Sequence, residues 1–271
     1  MSISAALGDA SAKLAAMSDT ARLDAELLMA HALGVERGAM LLDPKRFDVP
    51  VTFAALVERR MAHEPIAYIV GRRDFWTINL GVGPGVLIPR ADSETLIEAA
   101  LAHFGEAGPA NILDLGTGPG TLLLAALHQW PNARGVGVDM SEIALGYARA
   151  NAAALGLADR ATFMAGDWAD GGTADLILCN PPYIESNARL DRQVIDYEPP
   201  EALFAGVDGL GDYRIIIPTL APRILPGGVA IIEIGVGQCA AVTALAVSEG
   251  FAVAFKRDLG GRERALICTP V

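Results

Sequence analysis

From Asp92 onward, short apolar runs alternate with longer amphipathic stretches, and this alternation limits the possible folds more than any other feature of the chain. Asn111-Ile112-Leu113-Asp114, Gly135 to Asp139, Ala161-Thr162-Phe163-Met164, Asp175 to Cys179 and Gly228 to Ile234 read as short buried strands. Between and around them, Ser93 to His103, Leu122 to Gln129, Ser141 to Leu155, Tyr213 to Ile224 and Gln238 to Ser248 read as helices. Strands that alternate with helices build an α/β fold with a doubly wound, mostly parallel sheet. Phe251 to Phe255 and Ala265 to Cys268 lie too close together for a helical crossover, so they are expected to pair antiparallel.

The chain before Asp92 reads differently. Residues 1–72 show no strand alternation and predict a small helical bundle. One helix runs from Ala21 to Leu33 with Leu23, Leu27 and Ala30 on one face, Asp19 or Thr20 as its cap and Gly34 as its stop. A second covers Thr52 to His63, with Phe53, Leu56, Val57 and Met61 inward. Residues 73–90 predict a β-hairpin connector, with Phe75 to Leu80 and Val86 to Arg90 as strands around the turn Gly81, Gly83, Pro84 and Gly85. Residues 91–271 then form the α/β domain.

Composition narrows the function classes. A chain of 271 residues with 52% hydrophobic and 20% charged residues has ample core material. Its net charge of −11 offers no basic surface for a phosphate backbone, Arg72-Arg73 being the densest cluster near the expected junction. Direct nucleic-acid binding is therefore not expected, and a basic protein partner fits more easily. Cys179, Cys239 and Cys268 are odd in number and form no CxxC, which fits reduced core thiols. His31, His63, His103 and His128 are scattered, so no metal site is expected. The N-terminus shows no signal-type run, and no apolar stretch nears the roughly 18 residues of a membrane span. The expectation is a soluble cytoplasmic protein.

Asp114-Leu115-Gly116-Thr117-Gly118-Pro119-Gly120 follows the first strand of the α/β region and opens a helix. A dinucleotide fold wants GxGxxG there; the third glycine comes one position early and Thr121 stands in its place. GxGxG after an acidic strand end is the pattern of S-adenosylmethionine-dependent methyltransferases, so Gly116, Thr117, Gly118, Pro119 and Gly120 are candidate cofactor residues. Asp139 ends the second strand, where a carboxylate can take both ribose hydroxyls or favour the following helix N-terminus. In Gly166-Asp167-Trp168, Asp167 can accept from an adenine amine and the Trp168 indole can pack on the ring or simply fill the core.

Asn180-Pro181-Pro182-Tyr183 follows the fourth strand, at the sheet edge where open α/β folds bind ligands. Two prolines fix two φ angles and remove two N–H donors, leaving a rigid loop rich in acceptors. A planar NH2 is a poor nucleophile, because its lone pair is delocalised. The Asn180 side-chain oxygen and the Pro181 carbonyl can each accept one N–H and aim the nitrogen, while Tyr183 packs on the acceptor plane. These four are the candidate catalytic and substrate-binding residues. The loop alone fits an adenine amine as well as a glutamine amide.

Together these motifs resemble the family of peptide chain release factor glutamine N5-methyltransferases, the PrmC/HemK family. The resemblance runs over nearly the whole chain. It includes Arg22 to Leu28, Pro65 to Gly71, Phe75-Trp76, Leu87 to Glu94, Asp114 to Gly118, Asn180 to Ile184, Tyr197-Glu198-Pro199, Ala202-Leu203, Asp208 to Leu210 and Tyr213-Arg214. Pro119 departs from the Thr or other small residue frequent there. The resemblance implies a class I methyltransferase domain that uses S-adenosyl-L-methionine. It also implies a helical domain that helps dock class I release factors, with the NPPY loop holding the glutamine of their Gly-Gly-Gln motif. By the same carry-over Gly116 to Gly120, Asp139, Trp168 and Asn180 line the cofactor site. Glutamine methylation of a ribosomal protein and adenine N6 methylation of nucleic acid are the alternatives. Arg90 and Glu94 can position substrate or pair across a helix start.

Overall fold

The structure, a computed structural model, describes residues 1–271. The chain forms two compact units, Met1–Arg72 with Leu190–Tyr197, and Arg73–Arg189 with Glu198–Val271. The return segment Leu190–Tyr197 thus groups with the first unit and the hairpin with the second.

The first unit holds helices α1 (Ile3–Leu14), α2 (Ala21–Leu33), α3 (Arg37–Leu42), α4 (Phe53–Met61) and α5 (Ile66–Val70). Its core joins Ile3, Leu7, Leu14, Leu28, Met29, Met40, Phe53 and Val57. The buried face of α2 differs from the expected one. Ala21, Ala25, Leu28 and Met29 point inward together with Asp24, while Leu23 is exposed. On α4, Arg60 is buried and Met61 is exposed. The cause is a buried ion pair: Arg60 Nε lies 2.9 Å from Asp24 Oδ2, and Ser18 and Thr20 hydroxyls satisfy the remaining carboxylate positions. Periodicity sorts residues by polarity, and a satisfied polar pair evades it.

The second unit opens with β1 (Arg72–Phe75) and β2 (Ile78–Gly81). Here too the sequence reading needs correction. The hairpin turns at Trp76-Thr77, Trp76 having φ 53°, and residues 86–90 form no strand. Glu94 Oε1 accepts the Trp76 N–H at 2.8 Å and holds this unusual turn. There follow α6 (Glu94–Phe104), β3 (Asn111–Leu115), α7 (Thr121–Gln129), β4 (Arg134–Asp139), α8 (Glu142–Ala154), β5 (Ala161–Ala165) and β6 (Ala174–Cys179). The short α9 (Arg192–Ile195) belongs to the return segment; α10 (Gly211–Leu220), β7 (Ile224–Glu233), α11 (Cys239–Ser248), β8 (Phe251–Arg257) and β9 (Glu263–Pro270) complete the unit.

The seven-stranded sheet runs β5-β4-β3-β6-β7-β9-β8. Its first five strands are parallel, and β9 pairs antiparallel with both β7 and β8. Leu96, Ile97, Leu123, Leu124, Leu127 and Leu145 pack one face, with Phe75 and Leu80 of the hairpin. Tyr213, Ile216, Ile217, Val242 and Ala246 pack the other. The chain leaves β3 toward β4 and β5 and then crosses back to β6, which makes the carboxyl end of β3 a topological switch point. No helix is long and apolar enough to cross a membrane.

Candidate active site

Strand register brings the candidate residues together. Leu115 pairs with Val138 on one side and Cys179 on the other, and Cys179 pairs with Ile232. The next residue of each strand or loop is Gly116, Asp139, Asn180 and Glu233, so these emerge side by side at the carboxyl edge.

Beyond β3 the backbone turns through Gly116, Gly118 and Gly120, with φ of 67°, 57° and 86°. Such conformations disfavour any residue with a Cβ. At Gly116 space is also restrictive, because a Cβ would stand 3.0 Å from the Trp168 ring. Thr117 points inward, donating to Asp114 Oδ2 at 2.6 Å, an oxygen that also accepts the Leu123 N–H. The Pro119 carbonyl accepts from Asn151 Nδ2 at 2.8 Å. Asn151 also bonds both backbone groups of Gly81, so one buried amide ties the glycine loop to β2. Gly120 starts α7. Asp114 Oδ1 is buried and has no partner. Burial pushes this carboxyl up to about 7, against the hydrogen bonds from Thr117 and Leu123.

Asp139 accepts the Gly118 N–H on Oδ2 and the Ser141 N–H on Oδ1, each at 2.8 Å. With the Met140 N–H also nearby, the carboxylate keeps at least one acceptor position open. Burial raises its pKa, opposed by the N–H groups of Ser141, Gly118 and Met140. Trp168 donates its Nε1–H to Asp212 at 3.1 Å, which fixes the indole plane beside Gly116. Asp167 bonds within its own loop, accepting from Ala169 N.

Two neighbouring clefts share Gly116 and Asn180 in their walls. The larger holds about 610 Å³, counting its open mouth, and is bounded by Asp139, Met140, Trp168, Pro182 and Glu201 among others. The smaller reaches Arg90, Ser93, Asp114, Thr117, Gly118 and Pro119. Gly120 and Pro181 line neither, and Tyr183 faces a separate open groove with Gln238.

The NPPY loop is anchored at both ends. Asn180 Nδ2 donates to Ser93 Oγ at 3.2 Å. The Tyr183 hydroxyl donates to Glu233 Oε1 at 3.1 Å, and the Tyr183 carbonyl accepts from Gln238 Nε2 at 3.0 Å. Burial raises the Tyr183 pKa, with the Glu233 charge adding to it, so the phenol stays protonated. Arg90 and Glu94 also resolve. Arg90 pairs with buried Glu198 at 2.5 Å, whose second oxygen accepts the Ile88 N–H, while Glu94 serves the hairpin turn.

Sequence reasoning did not single out Ser93, Asn151, Glu198 or Glu233 for these contacts. Glu233 carried a usable signal, since it closes a parallel strand of the same sheet as Asp139. The others depend on partners distant in the chain.

Residues 5–71 match the family model described as PrmC N-terminal domain, and residues 108–205 match one described as Methyltransferase domain. A protein of Rhodospirillum rubrum named "Release factor glutamine methyltransferase" is 44% identical over 254 residues, covering 91% of this chain and 78% of its own. Proteins of the same name from Bradyrhizobium diazoefficiens and Caulobacter vibrioides are each 40% identical. They cover 93% and 92% of this chain, and 89% of their own lengths. Among solved structures, a ribosomal protein L11 methylase from Lactobacillus delbrueckii subsp. bulgaricus superposes with TM-score 0.51 at 20% identity, covering 70% of this chain and 84% of its own. A methyltransferase from Pyrococcus furiosus does so with TM-score 0.52 at 16% identity, covering 70% and 87%. These two likenesses concern the fold alone.

Proposed function

This chain belongs to the family of release factor glutamine methyltransferases, and we propose that it methylates the side-chain N5 of the glutamine in the Gly-Gly-Gln motif of class I peptide chain release factors. The observation that carries the reading is the held Asn180 amide beside a cleft. With Nδ2 turned to Ser93, its Oδ1 is left as an acceptor in the wall shared by the two clefts. On this reading that oxygen and the Pro181 carbonyl take the two N–H bonds of the substrate amide, draw charge toward its nitrogen and align its lone pair. The rate then comes from alignment and preorganised dipoles, with no strong base needed beforehand. The nitrogen becomes acidic as the methyl arrives and loses its proton late.

The cleft fits S-adenosyl-L-methionine on three counts. Gly116 leaves an approach to the Trp168 ring that a Cβ would fill. Asp114 offers an orphaned buried oxygen at the smaller cleft, suited to an amino group. Asp139 keeps an open acceptor position at the strand end, suited to a ribose hydroxyl. When bound, this cofactor supplies an electrophilic methyl on sulfur. Gly116, Thr117, Gly118 and Pro119 would pass its methionine portion, and Trp168 would lie against adenine. The helical unit would dock the release factor, a partner that the acidic balance of −11 suits when its surface is basic. The cytoplasm is where such a substrate is met.

The test is transfer of labelled methyl from S-adenosylmethionine to purified release factor. The expected result is labelling that disappears when the Gly-Gly-Gln glutamine is replaced. Equal labelling of both factors would sink the glutamine assignment, and labelling of DNA or RNA instead would replace it with the adenine reading.

A further inference from the structure

Trp168 is half-buried in the wall of the larger cleft, and one stretch of chain, α10 with the turn that follows it, holds it there. The indole is fixed at both ends. Its Nε1–H donates to Asp212 Oδ1 at 3.1 Å, and the far edge of its six-membered ring lies against Gly116, where a Cβ would stand 3.0 Å from Cζ3 and Cη2. Asp212 sits in the first turn of α10. The backbone of the Trp168 loop is fixed from the other end of the same stretch. Arg223, itself 7% exposed, donates to the carbonyls of Trp168 at 2.6 Å, of Gly172 at 3.2 Å and of Asp170. Between these two ends, Ile216, Ile217 and Leu220 bury α10 in the core cluster against which Trp168 packs.

An acid in a first helical turn can serve the helix dipole alone, and an indole can pack with its N–H toward water. Here the two meet. A carboxylate that accepts the N–H stops the ring from turning about its side-chain bonds, and a wall already in place spares a ligand the cost of ordering it. Asp212 lines neither cleft, so any effect on a ligand passes through the indole.

We propose that Asp212 is a positioning residue for the cofactor: it holds the Trp168 indole as a preformed wall of the larger cleft, on a loop whose backbone Arg223 fixes. The role rests on the reading of Trp168 as the surface that meets adenine.

Calorimetry with S-adenosylhomocysteine on Asp212→Ala, Asp212→Asn and Trp168→Phe tests it. Asp212→Ala should bind about tenfold more weakly, the scale of one hydrogen bond to a charged group. Asp212→Asn keeps an oxygen acceptor and should stay within about threefold of wild type. Trp168→Phe keeps an aromatic face and loses the N–H, so adding Asp212→Ala to it should cost less than about twofold more. In Asp212→Ala the KM for S-adenosylmethionine should rise about tenfold while kcat at saturating cofactor falls less than about threefold, because the wall serves ground and transition states alike. In the free protein, the Trp168 indole N–H resonance, assigned by its loss in Trp168→Phe, should exchange with solvent faster in Asp212→Ala and as slowly as wild type in Asp212→Asn. Wild-type affinity in Asp212→Ala with only a lower melting temperature would mean that the carboxylate serves the helix alone, and would overturn the proposal. Additive losses in the double variant, or an Asn variant as weak as the Ala variant, would overturn it too. Should Asp212→Ala not fold, Asp212→Ser, whose oxygen is too short to reach the indole, takes its place under the same criteria. Trp168→Ala binding as tightly as wild type would refute the adenine reading and the proposal with it, whereas a weak Trp168→Ala beside a tight Asp212→Ala refutes the proposal alone.

Discussion

At the scale of single residues, the proposed function separates groups that would grip the substrate from groups that hold the grip, and it puts Asn180 among the former. Asn180→Ala should reduce kcat by about a hundredfold or more, in the range for loss of one preorganised polar contact. Cofactor dissociation, measured by calorimetry, should shift by less than about threefold. An unchanged rate would remove the role given to that amide. That Asp139, Trp168 and Asn180 line one cleft was legible, because each lies at or just beyond a strand end and the fold class places clefts there. Ser93 and Glu198 were not, because nothing local marks them. Glu198 meets Arg90 across 108 residues of chain, and Ser93 meets Asn180 across 87.

At the scale of elements, two misreadings share one cause. Helix α2 turns Asp24 inward because α4 supplies Arg60, and the hairpin turns at Trp76 because Glu94 at the start of α6 accepts its N–H. Each element borrowed a polar partner from another. The α2–α4 pair yields a prediction. Asp24→Ala leaves the Arg60 guanidinium buried without its counter-charge and should destabilise the helical unit by about 3–5 kcal/mol. Adding Arg60→Met should recover most of that loss. Denaturant melts of the three variants decide it, and a double variant no more stable than Asp24→Ala would show that the pair is not the cause. Within the seven-stranded sheet, by contrast, the strands were read within a residue or two over much of their length, and the clearest miss there is β7, which begins at Ile224, where the sequence reading had ended a helix.

At the scale of the whole molecule, stability and function pull against each other at Asp114. Its carboxyl sits at about 7 in the folded chain against an ordinary 3.8. Below 3.8 the group is protonated in both folded and unfolded chains. As pH rises from there to about 7 the unfolded chain ionises first, so stability falls, and above 7 this group adds no further slope. Asp114→Asn should therefore flatten that fall and melt higher than wild type at pH 8, while binding S-adenosylhomocysteine more weakly. Thermal melts at pH 5 and pH 8 check it; a wild type that loses no more than the variant over that interval would contradict the buried-charge account. The sequence by itself determined the strand–helix alternation, the doubly wound class and the cofactor-type and NPPY loops, because these follow from hydrophobic period and from backbone limits that glycine and proline impose locally. Only the tertiary structure decided which way Asn180 faces, what Arg90 and Glu94 do, and that Glu233 anchors Tyr183. Those depend on hydrogen bonds between groups far apart in the chain that register brings within about 3 Å, and no local pattern encodes the partners.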